Sequence, residues 1–210
     1  MIMIPFSDIL APGHFKNICD CFHDDGVIAY PTDTLYGLGG NFFSLALIEK
    51  IDRFKNRHDM PYSVAVGTLA MLESLTADLP EIFDEWLQKL LPGKLTFLFK
   101  PNPAIDPKLF KNSGKIGIRL PALPRLLKLI EKIGLPLVST SVNRSGRPPL
   151  NDPRQIAGEF PGLDILIDGG VLPPSLGSTL VDVTVSPPRI VRPGADLDRI
   201  MAILKNDPEA

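Results

Sequence analysis

The fold class follows from one stretch of the sequence, Val27-Ile28-Ala29-Tyr30-Pro31-Thr32-Asp33-Thr34-Leu35-Tyr36-Gly37-Leu38-Gly39-Gly40. Residues 27–30 favour a β-strand, and Pro31 ends that strand because proline cannot donate to a sheet ladder. The polar residues 32–34 are therefore predicted to lie at the carboxyl edge of a sheet, where open α/β folds bind their ligands.

A purely structural interpretation of the same stretch is equally open. Thr and Asp side chains form ordinary turns by bonding their own backbone, so residues 32–34 taken alone predict a plain turn as often as a site. The glycines that follow, Gly37, Gly39 and Gly40, are predicted to adopt backbone conformations that are closed to other residues. The choice between a turn and a site depends on polar residues elsewhere in the chain.

Composition limits the class of protein. The 22 basic and 24 acidic side chains among 210 residues give a net charge of −2, so no global charge draws the chain to nucleic acid or to an anionic membrane. The first six residues carry no basic region, and no apolar run approaches the ~18 residues of a membrane helix. We expect one cytoplasmic domain over residues 1–210, with no membrane partner.

Two cysteines, Cys19 and Cys21, lie on a predicted helix. Side chains two positions apart on a helix diverge, so a disulfide between them is not expected. Both are interpreted as buried residues in a reducing compartment. Zinc is a distant alternative, because His14 and His23 are near but lack the usual ligand spacing.

Helical and strand patterns alternate along the chain and predict an α/β fold. The predicted strands are residues 27–30, 62–66, 94–100, 116–120, 137–139, 164–167, 178–185 and 189–191, of which the last two are expected to pair. The predicted helices are residues 14–24, 45–54, 68–75, 80–91, 124–133, 152–160 and 197–205. Ser44 is predicted to cap the second helix, whose apolar face includes Leu45, Ile48 and Ile51.

Polar side chains recur beside the predicted strands. Groups that suit an anion are Lys55, Arg57, Arg119, Asn143 and Arg192. Hydroxyls that suit a small polar substrate are Thr32, Thr34, Ser141 and Ser178. The run of donors over residues 139–147 is typical of an anion-binding loop. Gathered in one cleft, these groups would hold reactants together and stabilise charge on a transferring phosphoryl or carboxyl group.

Simpler interpretations of the cations stay open. Lys55 and Arg57 follow a predicted helix, where cations also complement the helix dipole. Arg119 faces either solvent or a polar cleft, and the sequence favours neither. A local basic patch, Lys108, Lys111 and Lys115, is interpreted by default as solvated loop lysines.

Common catalytic signatures are absent from the sequence. Gly93-Lys94 lacks the upstream glycine of a P-loop, and residues 37–40 break the Gly-x-Gly-x-x-Gly interval. There is no Gly-x-Ser-x-Gly, and the three histidines, His14, His23 and His58, have no evident Ser or Cys partner. The chemistry indicated is therefore one without a covalent nucleophile.

Seven motifs, taken in order, resemble one known family. They are Pro31-Thr-Asp-Thr-x-Tyr-Gly-Leu-Gly39, Lys55-x-Arg57, Pro92-Gly-x-x-Thr96, Ile118-Arg119-x-Pro121, Ser139-Thr-Ser141-x-Asn143-x-Ser145-Gly146, Gly177-Ser178-Thr179-x-Val181-Asp182 and Arg192-Pro-Gly194. The set resembles the YrdC-like family of L-threonylcarbamoyladenylate synthases, with a core over residues 24–194. The resemblance implies an α/β fold with a twisted, mixed parallel and antiparallel sheet flanked by helices, and a concave, positively lined cavity.

The activity that the resemblance implies is that of a nucleotidyltransferase. Such an enzyme condenses L-threonine, bicarbonate and ATP into threonylcarbamoyl-AMP and pyrophosphate. Partner proteins, the downstream threonylcarbamoyl transferase complex, then transfer the product onto an adenosine of tRNA. Mg²⁺ would accompany ATP, although the sequence offers no dedicated carboxylate cage for it.

Site residues are implied by the same resemblance. The residues similar to ATP ligands are Lys55, Arg57, Thr96, Asn143, Asn151 and Arg192. The residues similar to those around threonine and the carboxylated intermediate are Thr32, Thr34, Arg119, Ser141, Ser178 and Thr179. Asn151 enters this set as a replacement for a threonine that family members carry at that place.

Departures from the family pattern suggest an alternative. Pro61 occupies the place of a further Lys or Asn ligand and cannot replace it, a loss shared with YciO-like relatives. The alternative function is a non-catalytic protein that binds a nucleotide or double-stranded RNA through phosphates. A third option is a carbamoyltransferase that acts on another amine through the same carbamoyl-adenylate chemistry.

Overall fold

A computed structural model describes residues 1–57, 60–79 and 83–205 of the chain. Its strands are β1 (Ile2–Pro5), β2 (Ile28–Pro31), β3 (Tyr36–Gly39), β4 (Ser63–Ala65), β5 (Leu95–Phe99), β6 (Ile116–Arg119), β7 (Leu137–Ser141), β8 (Ile165–Asp168), β9 (Thr179–Asp182) and β10 (Arg189–Arg192). Its α-helices are α1 (Pro12–His23), α2 (Leu45–Lys55), α3 (Leu69–Leu75), α4 (Phe83–Leu90), α5 (Pro124–Ile133), α6 (Pro153–Glu159) and α7 (Leu197–Lys205). Short 3-10 helices cover Phe6–Asp8 and Pro107–Phe110.

The strands form one mixed sheet in the order β1-β8-β2-β3-β7-β4-β6-β5-β9-β10. Parallel pairs are β1 with β8, β2 with β8, β4 with β6 and β5 with β9, and the other neighbours run antiparallel. Strand β7 joins the two halves of the sheet, because its last residues pair with β3 and its first residues with β4. The prediction of a mixed α/β sheet is confirmed.

Helices cover both faces of the sheet. Alternate residues of a strand point to opposite faces, and in β2 Ile28 and Tyr30 join one apolar cluster while Ala29 joins the other. Helices α1 and α5 pack on the first face, whereas α2, α3, α4, α6 and α7 pack on the second. Burial on both faces accounts for the nearly continuous apolar character of β2 and β8.

The stretch that predicted the fold is a β-hairpin, and its second strand, β3, was not predicted. Strands β2 and β3 pair antiparallel in a register that sets Pro31 opposite Tyr36, with residues 32–35 as the connection. The predicted role of the glycines was wrong, because none of the three has a positive φ. They are required for close approach: a Cβ on Gly39 would lie 1.8 Å from the Val138 carbonyl oxygen.

Replacing Gly39 with alanine is expected to lower the free energy of unfolding by about 3 kcal/mol or more, since the added carbon meets backbone of β7 that cannot rotate away. Urea unfolding followed by circular dichroism measures the loss. The matched control is Gly13→Ala in α1, where a Cβ meets nothing within 4 Å and helix propensity gains slightly. Equal stability of the two variants would contradict the close approach of β3 to β7.

Other expectations were wrong in detail. Strand β1 was not predicted, and β7 extends to Ser141 instead of ending at Ser139. Leu45 does not belong to the buried face of α2, because it is 36% exposed. The start of the predicted helix 80–91 and His58 lie outside the described residues.

The interpretation of the basic patch as solvated loop lysines was wrong for two of its three members. Lys111 and Lys115 pair with the buried carboxylates of Asp52 and Asp182, respectively, and Lys108 alone of the three is exposed. Both cysteines are free; Cys21 is buried, whereas Cys19 is only half-buried, so the expectation that both are buried was wrong for Cys19. Within the described ranges, no helix is both long and apolar enough to cross a membrane.

Candidate functional site

A polar cleft of about 250 Å³ opens where several strands end. Its walls come from the β2–β3 turn, the segment after α2, strands β5, β6 and β7, the loop before β9, and β10. Of the twelve site residues expected from the sequence, those that line it are Thr32, Thr34, Arg57, Thr96, Arg119, Ser141, Ser178 and Arg192. Those outside the lining are Lys55, Asn143, Asn151 and Thr179.

The β2–β3 turn is both a turn and a wall of the cleft. The hydroxyl oxygen of Thr32 accepts the backbone N–H groups of Thr34 and Leu35 at 3.1 and 3.2 Å. The same hydroxyl lies 2.7 Å from the Leu35 carbonyl, to which it donates. The two interpretations of residues 32–34 are therefore compatible, because the turn bonds fix the side chains that face the cleft.

Arg119 faces the cleft, which decides a question that the sequence left open. Its guanidinium pairs with Asp33, and both side chains are at least 93% buried. Asp33 also accepts the Ala122 backbone N–H at 2.9 Å, while Arg119 donates to Thr34 at 3.3 Å. Asp33 was missed as a site residue, although an acid within a hydroxyl-rich turn was a visible signal. The ion pair with Asp33 therefore fixes the orientation of Arg119 in the lining of the cleft.

Hydroxyls from β5 and the loop before β9 form the opposite wall. The hydroxyls of Thr96 and Ser178 lie 2.8 Å apart, and Arg192 donates to the Ser178 carbonyl at 2.9 Å. Thr179 is fully buried and donates its hydroxyl to the Ala195 carbonyl at 2.7 Å. Thr179 therefore stabilises the loop, and its role toward threonine stays a prediction.

Lys55 is buried outside the lining of the cleft, in contact with the end of β7 and the residues that follow it. Only 2% of the residue is exposed, and its ammonium donates to the Ser141 carbonyl, the Asn143 carbonyl and Asn143 Oδ1 at 2.6, 3.1 and 2.7 Å. Asn143 Oδ1 also accepts the Ser141 hydroxyl at 2.6 Å. In this arrangement Lys55 and Asn143 shape the loop that presents Ser141. Their direct contact with ATP stays a prediction.

Titration of Lys55 provides a test of its burial. Burial, and secondarily the charge of Arg57, lowers the pKa of Lys55 to about 8. Between that pH and about 10.5 the unfolded chain binds more protons at Lys55 than the folded chain, so the Lys55 contribution to the free energy of unfolding rises with pH. Below about pH 8 the contribution is constant.

We therefore expect the free energy of unfolding of the wild type, relative to Lys55→Met, to increase by roughly 2 kcal/mol between about pH 7.5 and pH 10. Urea titrations of both proteins at the two pH values measure this difference. Subtracting the variant removes the titration of all other groups. A difference that is the same at both pH values would contradict the lowered pKa.

The electrostatic character of the cleft is that of an anion site. Arg57, Arg119 and Arg192 line it, and its described lining contains no carboxylate. Burial lowers the pKa of Arg192, and the charges of Arg119 and Arg57 lower it further, so the three cations repel one another. Among the described residues, Asp33 is the carboxylate that compensates any of them. A bound anion would relieve this repulsion.

Several buried polar atoms in this region have no hydrogen-bond partner among the described residues: Arg57 Nε, Arg119 Nε and Asn151 Oδ1. The two arginine atoms belong to side chains that line the cleft, but the Nε atoms themselves are buried, so a ligand would be bound by the other nitrogens of the two guanidinium groups. Asn151 lies outside the lining and its backbone carbonyl accepts Leu172 N–H at 3.0 Å. Its role toward ATP stays a prediction.

The described donor set of the cleft does not suit a resident metal. Among the described residues that line it, the polar side chains carry hydroxyls and guanidinium groups, whereas Mg²⁺ prefers carboxylate and water oxygens. In the part of the chain that the structure describes, no three His, Cys, Asp or Glu side chains come together to hold an ion.

Comparisons with known proteins agree on one family. A family model named Sua5_yciO_yrdC, described as "Telomere recombination", matches residues 20–194. Threonylcarbamoyl-AMP synthase of Bacillus subtilis is 32% identical over 174 residues, which cover 81% of this chain and 50% of that protein. Sua5 of P. abyssi, solved in complex with L-threonine, has a TM-score of 0.86 and 27% identity over 96% of this chain and 60% of that chain. YciO of E. coli has a TM-score of 0.80 and 26% identity over 92% and 94% of the two chains.

Proposed function

We propose, from the premise that this chain belongs to the Sua5, YciO and YrdC family, that it is a threonylcarbamoyl-AMP synthase. It would condense L-threonine, bicarbonate and ATP into threonylcarbamoyl-AMP and pyrophosphate, which makes it a nucleotidyltransferase. The observation that carries the proposal is the convergence of Arg57, Arg119 and Arg192 with a set of hydroxyls on one cleft, whose described lining residues include no carboxylate. Such a cleft attracts two anions, a carboxylate and a polyphosphate.

The proposed reaction needs no covalent nucleophile from the protein. The threonine amine attacks the carbon of bicarbonate, water leaves, and N-carboxythreonine forms. A carboxylate oxygen of this carbamate then attacks the α-phosphorus of ATP, and pyrophosphate leaves with the electrons of the broken P–O bond. In this second step negative charge builds on phosphate oxygens, which the arginines of the cleft would stabilise.

Two subsites are proposed within the cleft. The β2–β3 turn and Arg119 would hold threonine, with the guanidinium on its carboxylate and the hydroxyls of Thr32 and Thr34 around its polar end. A structural neighbour solved with L-threonine supports this substrate. Arg57 and Arg192 would hold the phosphates of ATP from the other side.

Magnesium would come with the nucleotide, because the described residues of the cleft supply no carboxylate cage for it. When bound, Mg²⁺ would neutralise part of the charge of the triphosphate. The hydroxyl of Thr96 and the guanidinium groups of Arg57 and Arg192 would bind the remaining phosphate oxygens, while Ser178, 2.8 Å from Thr96, would lie on the side of threonine.

A threonine-dependent assay tests the proposed function. The protein is incubated with ATP and Mg²⁺, with L-threonine and bicarbonate each present or omitted, and pyrophosphate and threonylcarbamoyl-AMP are measured. We expect both products only in the complete mixture. Pyrophosphate release without threonine, or none in the complete mixture, would overturn the proposal.

The place of this chain in the cell is proposed on the same basis. The product is a mixed anhydride that reacts with amines and water, so a partner must consume it soon after release. A transferase complex that modifies an adenosine of tRNA would be that partner, and the cytoplasm would be the location.

A second candidate function is a binding protein for a nucleotide or double-stranded RNA without catalysis. The observation that favours it is Pro61, which lines the cleft beside Arg57 and has no side-chain donor, together with the similarity to YciO over 94% of that chain. In this case affinity for RNA falls steeply with salt while the complete mixture gives no pyrophosphate.

A further inference from the structure

Arg57 is held in the cleft by an unusual set of contacts. Its guanidinium carbon lies 5.5 Å from the ring centroid of Tyr62, a cation–π contact. Its Nε is buried without a hydrogen-bond partner among the described residues. No carboxylate among the described residues pairs with Arg57, so within that part of the chain the ring of Tyr62 is the contact that orients its guanidinium.

Tyr62 is itself held in place by a hydrogen bond to Asp52. Its hydroxyl donates to Asp52 Oδ1 at 2.6 Å, and the residue is 5% exposed. Burial raises the pKa of Tyr62, and the hydrogen bond and charge of Asp52 raise it further, so the phenol stays protonated and remains a donor. The other Asp52 oxygen pairs with Lys111, whose side chain is 18% exposed.

The backbone carbonyl of Asp52 also fixes the position of the Arg57 backbone. Helix α2 ends with Asn56 in the left-handed conformation, at φ 51°, and the N–H of Arg57 donates to the Asp52 carbonyl at 3.0 Å. The N–H of Asn56 donates to the Arg53 carbonyl, which completes a Schellman-type helix end. One residue thus fixes the backbone of Arg57 and the aromatic ring beneath its guanidinium.

We propose that Tyr62, anchored by Asp52 and Lys111, is a positioning residue for Arg57 and sets the affinity of the cleft for the polyphosphate of the nucleotide. The inference rests on the proposed function for the identity of that ligand. Tyr62 acts through Arg57: the ring holds the guanidinium toward the cleft before the anion binds, which lowers the ordering cost of binding. Lys111 acts one step further away, by compensating the buried Asp52 carboxylate that holds the phenol.

A double-mutant cycle tests the coupling of Tyr62 and Arg57. ATP binding is measured by isothermal titration calorimetry for the wild type, Tyr62→Leu, Arg57→Ala and the double variant. We expect Tyr62→Leu to weaken ATP binding about tenfold, and Tyr62→Phe, which keeps the ring, about two- to threefold. The double variant should bind ATP as weakly as Arg57→Ala alone. Losses that add in the double variant would overturn the proposal.

Separate readouts distinguish positioning from general structural damage. In the complete reaction, the KM for ATP should rise in Tyr62→Leu while the KM for threonine changes less than about twofold, because Arg119 is held independently by Asp33. A parallel rise of both constants would overturn the proposal. If Tyr62→Leu does not fold, the variant Lys111→Met is used in its place. We expect Lys111→Met to lower ATP affinity about threefold. The matched control is Lys108→Met, which changes an exposed neighbouring lysine. Equal effects of the two lysine variants would overturn the proposal.

Inorganic triphosphate separates this inference from the proposed function. The same cycle is run with inorganic triphosphate, an anion that requires no nucleotide recognition. Coupling of Tyr62 and Arg57 toward triphosphate, combined with no product from the complete mixture, would refute the synthase and retain the positioning role. Product formation by the wild type without any coupling would refute the positioning role and retain the synthase.

Discussion

Replacing Arg57 with alanine is expected to lower the rate of threonylcarbamoyl-AMP formation by a factor of about 100 to 1,000, the cost of removing one donor that stabilises charge in a transition state. Arg57 lines the cleft, its Nε is buried without a partner among the described residues, and its charge adds to that of Arg119 and Arg192. Because its side chain lines the cleft and no carboxylate among the described residues pairs with it, its guanidinium can bind a phosphate through its other nitrogens. Steady-state formation of product with all three substrates measures the loss.

Stability should hardly change in this variant, because the substitution also removes repulsion from Arg192. The matched control is Arg53→Ala, an exposed arginine of α2 that does not line the cleft. That variant should keep the wild-type rate and melting temperature. Full activity of Arg57→Ala would show that the phosphate subsite lies elsewhere.

The sequence predicted which residues come together better than it predicted what each one touches. Hydroxyls and cations beside strand ends were expected to converge, and the cleft does contain Thr32, Arg119 and Ser178. The topology of the sheet alone brings strand ends to one edge, so the grouping of these residues could be predicted from the sequence. The ordered motifs then indicated the chemistry.

Lys55 shows where such prediction stops. An ammonium group donates equally well to a phosphate and to backbone carbonyls, so a lysine beside a loop carries no information about which it binds. The carbonyl groups of Ser141 and Asn143 are 86 and 88 positions away in the chain, and only the tertiary structure brings them to Lys55. The sequence also did not reveal Asp33 as the partner of Arg119.

Two strands escaped prediction for related physical reasons. Strand β3 is Tyr-Gly-Leu-Gly, and glycine disfavours strands unless a close neighbour excludes a side chain, as the Tyr30 ring does at Gly37 and the β7 backbone does at Gly39. Strand β1 is only four residues long and gains its pairing from β8, more than 160 positions later. Both segments form strands because contact with a strand distant in the sequence stabilises them more than their local propensity disfavours them.

The second large effect is expected on replacing Arg119 with methionine, which should lower both stability and activity. The Asp33 carboxylate would lose its buried counter-ion and keep the Ala122 N–H as its hydrogen-bond donor. An uncompensated buried charge costs about 3–5 kcal/mol, and in a chain of this size that corresponds to a fall in melting temperature of about 10 °C. Threonine binding would be lost as well, since Arg119 is the proposed ligand of its carboxylate.

Adding Asp33→Asn to Arg119→Met separates the two effects. The double variant no longer buries a charge, so most of the lost stability should return, while the threonine carboxylate still lacks its guanidinium partner. Thermal melts measure the first quantity, and calorimetric titration with L-threonine measures the second. Recovery of threonine binding together with stability would place the threonine carboxylate away from Arg119. Failure to recover stability would mean that the Asp33 charge is not the origin of the loss.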